Sequence, residues 1–218
     1  MSQLTFQFPF KTTYYEKDFY VSSNNFQTYR LIESCPNWSS KLINIFGPAG
    51  CGKTHLANIL KKKIKTLILN EDNLKKININ SIKSIQCIVI ENFENDIEEN
   101  YFYSFLNFAI QSNVFVLINS KISIKKIKIN LKDLKSRLNS FLDIGIDLPT
   151  DDLLHVILTK SFSEKQIKVN IKVLEYILKH IDRSYEKIFQ FVKEVDIESL
   201  STGKSININL VKKILNNE

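Results

Sequence analysis

The stretch GPAGCGKT, Gly47 to Thr54, holds the densest chemistry in the chain. It fits G-x-x-x-x-G-K-[ST] between the β-branched run LINIF (42–46) and the helical run THLANILKKK (54–63). Glycines let backbone N–H groups wrap toward phosphate oxygens, and the helix N-terminus adds a positive field. In such a loop Lys53 reaches the β and γ phosphates and the Thr54 hydroxyl meets Mg²⁺. Gly47, Ala49, Gly50, Cys51, Gly52, Lys53 and Thr54 are therefore the expected contacts to a nucleotide.

Phosphoryl chemistry also needs an acid at the end of a neighbouring strand. IVIENF supplies Glu91 there, so Thr54 and Glu91 are the expected Mg²⁺ ligands. The next residue, Asn92, stands where a second carboxylate would orient water, and an amide cannot act as a base. Efficient hydrolysis by this chain alone is not expected. Glu94 is the remaining carboxylate nearby, or simply a solvated one. VFVLIN ends in Asn119-Ser120, where Asn119 either hydrogen-bonds the γ-phosphate or its water, or merely caps the strand.

These groups need a scaffold of alternating strands and helices. Short β-branched runs at 42–46, 66–70, 86–91, 114–119 and 143–148 alternate with helical segments, the pattern of βαβ units on a parallel sheet. After Pro149 the strands stop, and 151–161, 170–181, 184–195 and 208–216 show helical spacing, with polar punctuation such as SLSTGKS between them. The expected organisation is a tail over 1–12, an α/β domain over 13–149 and a helical domain over 150–218. The Asn/Lys/Ile stretches at 74–85 and 121–132 read as compositional bias on surface loops.

Bulk properties exclude several classes. At 44% hydrophobic residues the chain has enough apolar mass for a core, so it is not a disordered protein. No apolar run approaches the roughly 18 residues of a membrane span, and the N-terminus lacks a signal-peptide pattern, so the expectation is a cytoplasmic protein with no membrane partner. Cys35, Cys51 and Cys87 are odd in number and lack ligand spacing, which reads as reduced thiols. The net charge of +7 comes mostly from Lys scattered through helices, so specific DNA readout is not expected. Only Arg30, Arg137 and Arg183 are arginines, and in a Lys-rich chain they can mark places that need a planar fork.

The N-terminal run MSQLTFQFPF alternates apolar residues from Leu4 to Phe10, like an edge strand, but Pro9 removes a ladder donor and no hairpin turn follows. A segment too short to bury itself can instead bury Leu4, Phe6 and Phe8 in a partner, with Gln3 as polar anchor.

GPAGCGKTHL, the strand-end acid, the polar strand end, LKSRL and the helical tail together resemble the AAA+ ATPases, and within them the DnaA-related Hda family. The resemblance implies an α/β AAA+ P-loop NTPase fold, with a parallel five-stranded sheet and a small all-helical lid, that binds ADP or ATP. EKDFYVSSNN resembles the family's adenine-side segment, which implies that Tyr20 and Val21 border the base and Asn24 starts the next helix, while His55 follows the loop. LKSRLNS resembles the box that carries an arginine finger, implying that Arg137 acts on nucleotide held by a neighbouring subunit. IDRSYEKIF resembles the sensor-II helix, with Glu186 where the family's arginine would align, which implies that either Arg183 takes that role at the nucleotide from the previous turn or the phosphate contact is lost. QLTFQF resembles a motif for the DNA polymerase sliding clamp, implying contacts through Gln3, Leu4, Phe6 and Phe8.

Three functions compete. One is a regulator that sits on the DNA-loaded clamp and presses Arg137 against ATP held by DnaA, its own nucleotide being structural, with a homo-dimer as a further association. Another is a DnaA-like or helicase-loader-like factor holding single-stranded DNA on the basic stretch KISIKKIKINLKDLK. A small-molecule P-loop kinase, the third, would use more arginines around the transferred phosphate than this chain has.

Overall fold

A computed structural model describes residues 16–77, 84–202 and 206–216. The N-terminal run with Gln3, Leu4, Phe6 and Phe8 lies outside the described residues. The chain divides into two compact units, one over Tyr14–Asp147 and one that includes Leu148–Glu218.

In the first unit, strands β1 (Leu42–Phe46), β2 (Thr66–Leu69), β3 (Cys87–Phe93), β4 (Phe115–Ser120) and β5 (Leu142–Gly145) form one sheet. Their order is β2-β3-β4-β1-β5, and every pairing is parallel. Helix α1 (Phe26–Glu33) precedes β1, and α2 (Lys53–Lys63), α3 (Glu71–Leu74), α4 (Glu99–Gln111) and α5 (Lys132–Asn139) connect the strands. Ile88, Ile90, Val116 and Ile118 share a core with Phe102, Phe105, Leu106, Leu134 and Leu138. Side chains alternate between the faces of a strand. The intervening Val89, Leu117, Ile43 and Ile45 are also fully buried, so both faces of the sheet are covered. That two-sided burial explains why the central strands read as continuous apolar runs. Full burial of Phe102 and Phe105 contributes about 1.5–3 kcal/mol each.

The unit that includes Leu148–Glu218 is helical over its described residues: α6 (Asp151–Glu164), α7 (Ile171–His180), α8 (Tyr185–Thr202) and α9 (Ile208–Asn216). Leu154, Leu158, Ile177, Ile188, Phe191, Val195 and Val211 form its core. Thr150 caps α6 by accepting from Leu153 N, and Asn170 caps α7 by accepting from Lys172 N.

The structure corrects four local expectations. The helix after the aromatic segment starts at Phe26, one position past an Asn25 whose side chain bonds Ser22 N and Tyr20 O; Asn24 instead donates to Asp147 O at 3.1 Å. The stretch 121–132 is not a plain surface loop: Ile124 is fully buried, and Ile127, Ile129 and Leu131 pack against the same core. A short 3-10 turn over Ile124–Lys126 turns those residues inward while Lys125, Lys126 and Lys128 stay exposed. β5 ends at Gly145 rather than running on to 148. Helix α8 continues through Ser199 to Thr202, so part of the SLSTGKS punctuation is helical.

Candidate functional site

The site lies at the carboxyl ends of β1, β3 and β4, where strand ends meet the start of α2. The loop from Gly47 enters α2 at Lys53, with Gly52 as N-cap at φ 99°. A side chain at Gly52 would be strained by that φ, and its Cβ would stand 2.9 Å from the Phe19 ring. At Gly47 the limit is close approach, since a Cβ would meet the Ile146 carbonyl oxygen at 2.6 Å. Gly47 N donates to Ser120 O at 3.2 Å, which ties the loop to β4.

Lys53 is only 8% exposed although it opens a helix. Its Nζ donates to Gly47 O at 2.7 Å and Pro48 O at 2.9 Å and lies 3.6 Å from Cys51 Sγ. The ammonium is thus held within the arc of the loop, where an anion would be met by the lysine and the start of α2 together. Burial pushes the Cys51 thiol up, against the pull of Lys53, so it is a packing group rather than a thiolate.

Glu91, 8% exposed at the end of β3, gathers the other groups. Its Oε2 accepts from Thr54 Oγ1 at 3.0 Å, and its Oε1 accepts from Asn119 Nδ2 at 2.9 Å. Asn119 is fully buried, and its Oδ1 has no hydrogen-bond partner. A buried amide oxygen left unsatisfied costs about 1–3 kcal/mol. Such an acceptor fits a site that receives a donor such as water. The Thr54 hydroxyl and Glu91 carboxylate form an oxygen pair suited to Mg²⁺, which prefers few protein oxygens and completes its shell with water and phosphate. The residues present fit a Mg²⁺-nucleotide, with Lys53 for the phosphates and Thr54 and Glu91 for the metal.

The structure therefore brings Lys53, Thr54, Glu91 and Asn119 together, and it keeps Asn92 apart. The pairing of β3 with β4 shifts between Ile90 and Phe93, and Asn92 is the exposed extra residue at φ 52°. A bulge of this kind turns one side chain out so that its neighbours stay in register. Asn92 thus has a backbone role here, one that Asn tolerates better than most residues. Glu94 is exposed and pairs with Lys121 at 2.8 Å.

On the aromatic side, Tyr20 is 44% exposed and Val21 half-buried. Phe19, which sequence reasoning passed over, stacks on Tyr29 at 5.7 Å and meets His55 edge-on at 5.3 Å. With its contact at Gly52 it links the aromatic segment to the loop. Its signal was the ring beside Tyr20 in EKDFY. Glu71 was also missed: its carboxylate accepts from Glu94 N, Asn95 N and Asp96 N at 3.0, 2.8 and 3.1 Å, fixing the turn after β3. Asn44 was read as one letter of an apolar run, yet it is fully buried, donates to Ile118 O and Ser120 Oγ, and accepts from Ile124 N.

Arg137 lies near the end of α5, half-buried, with Nη2 2.7 Å from Asn107 Oδ1 on α4. Arg183, in the helical unit, precedes α8 rather than sitting within it and pairs with Asp151 at 2.8 Å. Glu186 occupies the first turn of α8.

A parallel sheet in the order found, a glycine loop opening a helix, a strand-end acid and a helical appendage define an AAA+ P-loop domain. Residues 151–215 match the family model "Hda, lid domain". The chain is 27% identical over 217 residues to the chromosomal replication initiator protein DnaA of Buchnera aphidicola (subsp. Cinara cedri), covering 88% of this chain and 49% of that protein. It spans about half the length of the curated relatives it matches. Domain III of the Thermotoga maritima DnaA superposes with a TM-score of 0.77 at 16% identity, covering 96% of this chain and 98% of that one. A DnaA bound to AMPPCP and single-stranded DNA superposes at 0.67 with 20% identity, covering 84% of this chain and 64% of that one. The chain is thus similar to DnaA over most of its length and to the Hda lid over residues 151–215, on an AAA+ fold.

Proposed function

We propose that this chain is a regulator of bacterial replication initiation that acts on DnaA. It binds ADP or ATP with Mg²⁺ through the loop from Gly47 to Thr54, with Thr54 and Glu91 at the metal and Tyr20, Val21 and His55 on the base side. It docks on the DNA-loaded sliding clamp through Gln3, Leu4, Phe6 and Phe8. From there it presents Arg137 to ATP held by DnaA and speeds its hydrolysis. A guanidinium supplied in trans stabilises charge on the transferring phosphoryl group, an effect worth about 10³ to 10⁵ in rate.

The observation that carries this reading is the match of residues 151–215 to the Hda lid. The residue after Glu91 is an exposed Asn92 on a bulge and not a second carboxylate facing the site, so in this reading the bound nucleotide is structural and the chain's own turnover is weak. Arg183, exposed and paired with Asp151, either leaves that surface pair for the phosphates or makes no contact with them. The protein works in the cytoplasm, beside DNA but without specific readout of it.

The test charges full-length DnaA with labelled ATP, adds clamp loaded on DNA and titrates in this chain. Hydrolysis that rises with the chain, and only with loaded clamp present, supports the reading. A rate that ignores the chain contradicts it.

One observation favours a second reading, single-stranded DNA binding: Lys125, Lys126 and Lys128 are exposed in a row, and a solved DnaA relative is bound to such DNA. A gel shift that falls steeply with salt and is lost on Lys125→Glu with Lys128→Glu would favour it.

A further inference from the structure

The guanidinium of Arg137 is not held by the helix that carries it. Helix α5 is anchored to the core by Leu134 and Leu138, both essentially unexposed, and these fix the helix but not a side chain on its flank. Two polar ties to α4 do the rest. At the start of α4, the Glu99 carboxylate accepts from Asn130 N at 3.0 Å and from Leu131 N at 2.6 Å, setting where α5 begins. Eight residues further along α4, a little over two turns, Asn107 Oδ1 accepts from Arg137 Nη2 at 2.7 Å. Positions eight apart are about 80° apart round a helix and so lie on one broad face. One face of α4 therefore sets both the start of α5 and the direction of its arginine.

Within this contact Arg137 Nε is buried and has no partner. Arginine carries five donors in a rigid planar fork, so one bond at Nη2 fixes the plane while leaving donors for a bidentate acceptor. Asn107 is neutral and accepts without cancelling the charge, whereas a carboxylate at that place would neutralise the fork.

We infer that Asn107 is a positioning residue for Arg137: it aims the guanidinium at a phosphate acceptor presented by the partner. This rests on the reading of Arg137 as a finger acting in trans. In that reading the gain depends on alignment, and a misplacement of about 1 Å can cost roughly 100-fold. Asn107 touches neither phosphate nor nucleotide and acts only through Arg137.

The test compares the parent, Asn107→Leu and Arg137→Ala in the clamp-dependent hydrolysis of DnaA-bound ATP. Asn107→Leu keeps shape and removes the acceptor. Its maximal stimulated rate should fall by about 10- to 100-fold, while the concentration giving half-maximal stimulation, the chain's own nucleotide affinity and its urea midpoint stay near the parent's. A merely structural role would move the urea midpoint, and a role in docking would move the half-maximal concentration. If Arg137→Ala abolishes stimulation and Asn107→Leu leaves the maximal rate within twofold, the assignment of Asn107 is overturned and the finger stands. If Arg137→Ala leaves stimulation intact, the finger reading falls and the role of Asn107 falls with it.

Discussion

Thr54 and Glu91, 37 residues apart in sequence, meet through a 3.0 Å hydrogen bond from the threonine hydroxyl to the carboxylate at the foot of the glycine loop. That one contact joins the first turn of α2 to the end of β3, and Asn119 closes the group from β4. The site is therefore assembled from three strand ends rather than from one motif.

Under the proposed function Lys53 meets the phosphates of the bound nucleotide. Replacing it with alanine removes a charged donor held within the loop, and charged hydrogen bonds are worth about 1.5–3 kcal/mol. The affinity for a fluorescent ATP analogue should fall by roughly 10- to 150-fold in a titration at fixed Mg²⁺. An affinity within twofold of the parent would show that the lysine does not contact the phosphates.

Asn92 should matter for its backbone and not for its amide. At φ 52° Asn92→Gly should keep both the fold and nucleotide affinity, whereas Asn92→Val should lose about 1–3 kcal/mol in urea unfolding. Equal stabilities for the two variants would remove the bulge argument.

Glu98 caps α4, accepting from the Asn100 side chain at 2.8 Å and from the backbone N–H groups of Asn100 and Tyr101. The Asn100 side-chain bond, with the two backbone bonds, holds its carboxyl below the ordinary glutamate value. A carboxyl lowered in the fold stabilises above its unfolded pKa, about 4.3, and that contribution is lost as pH falls through the folded value. The urea midpoint of the parent should therefore exceed that of Glu98→Gln at pH 6, and the gap should close as pH drops below about 4. A gap that widens toward acid would contradict the sign.

Much of this was legible in the sequence, for identifiable reasons. Gly47 to Thr54 between LINIF and THLANIL allows few other structures, and the parallel sheet follows from apolar runs buried on both faces. Glu91 and Asn119 were legible as polar residues ending such runs. Glu71 was not, because its three backbone partners lie 23 to 25 residues away and no local pattern marks them. The stretch 121–132 hid its inward residues because Ile124, Ile127, Ile129 and Leu131 mix spacings of three and two, matching neither a helix nor a strand. Asn92 was read for its functional group when its backbone angle was the constraint, which sequence spacing does not reveal. Asn107 carried no signal at all: its role arises only where α4 and α5 meet.

Under the proposed function Arg137 works on another molecule's nucleotide. The most direct measurement is the single-turnover hydrolysis of labelled ATP on full-length DnaA, with loaded clamp and saturating parent chain or Arg137→Ala. The parent should accelerate hydrolysis, and Arg137→Ala, still binding nucleotide and clamp, should return the rate to that of DnaA alone. A rate with Arg137→Ala within twofold of the parent's would contradict it.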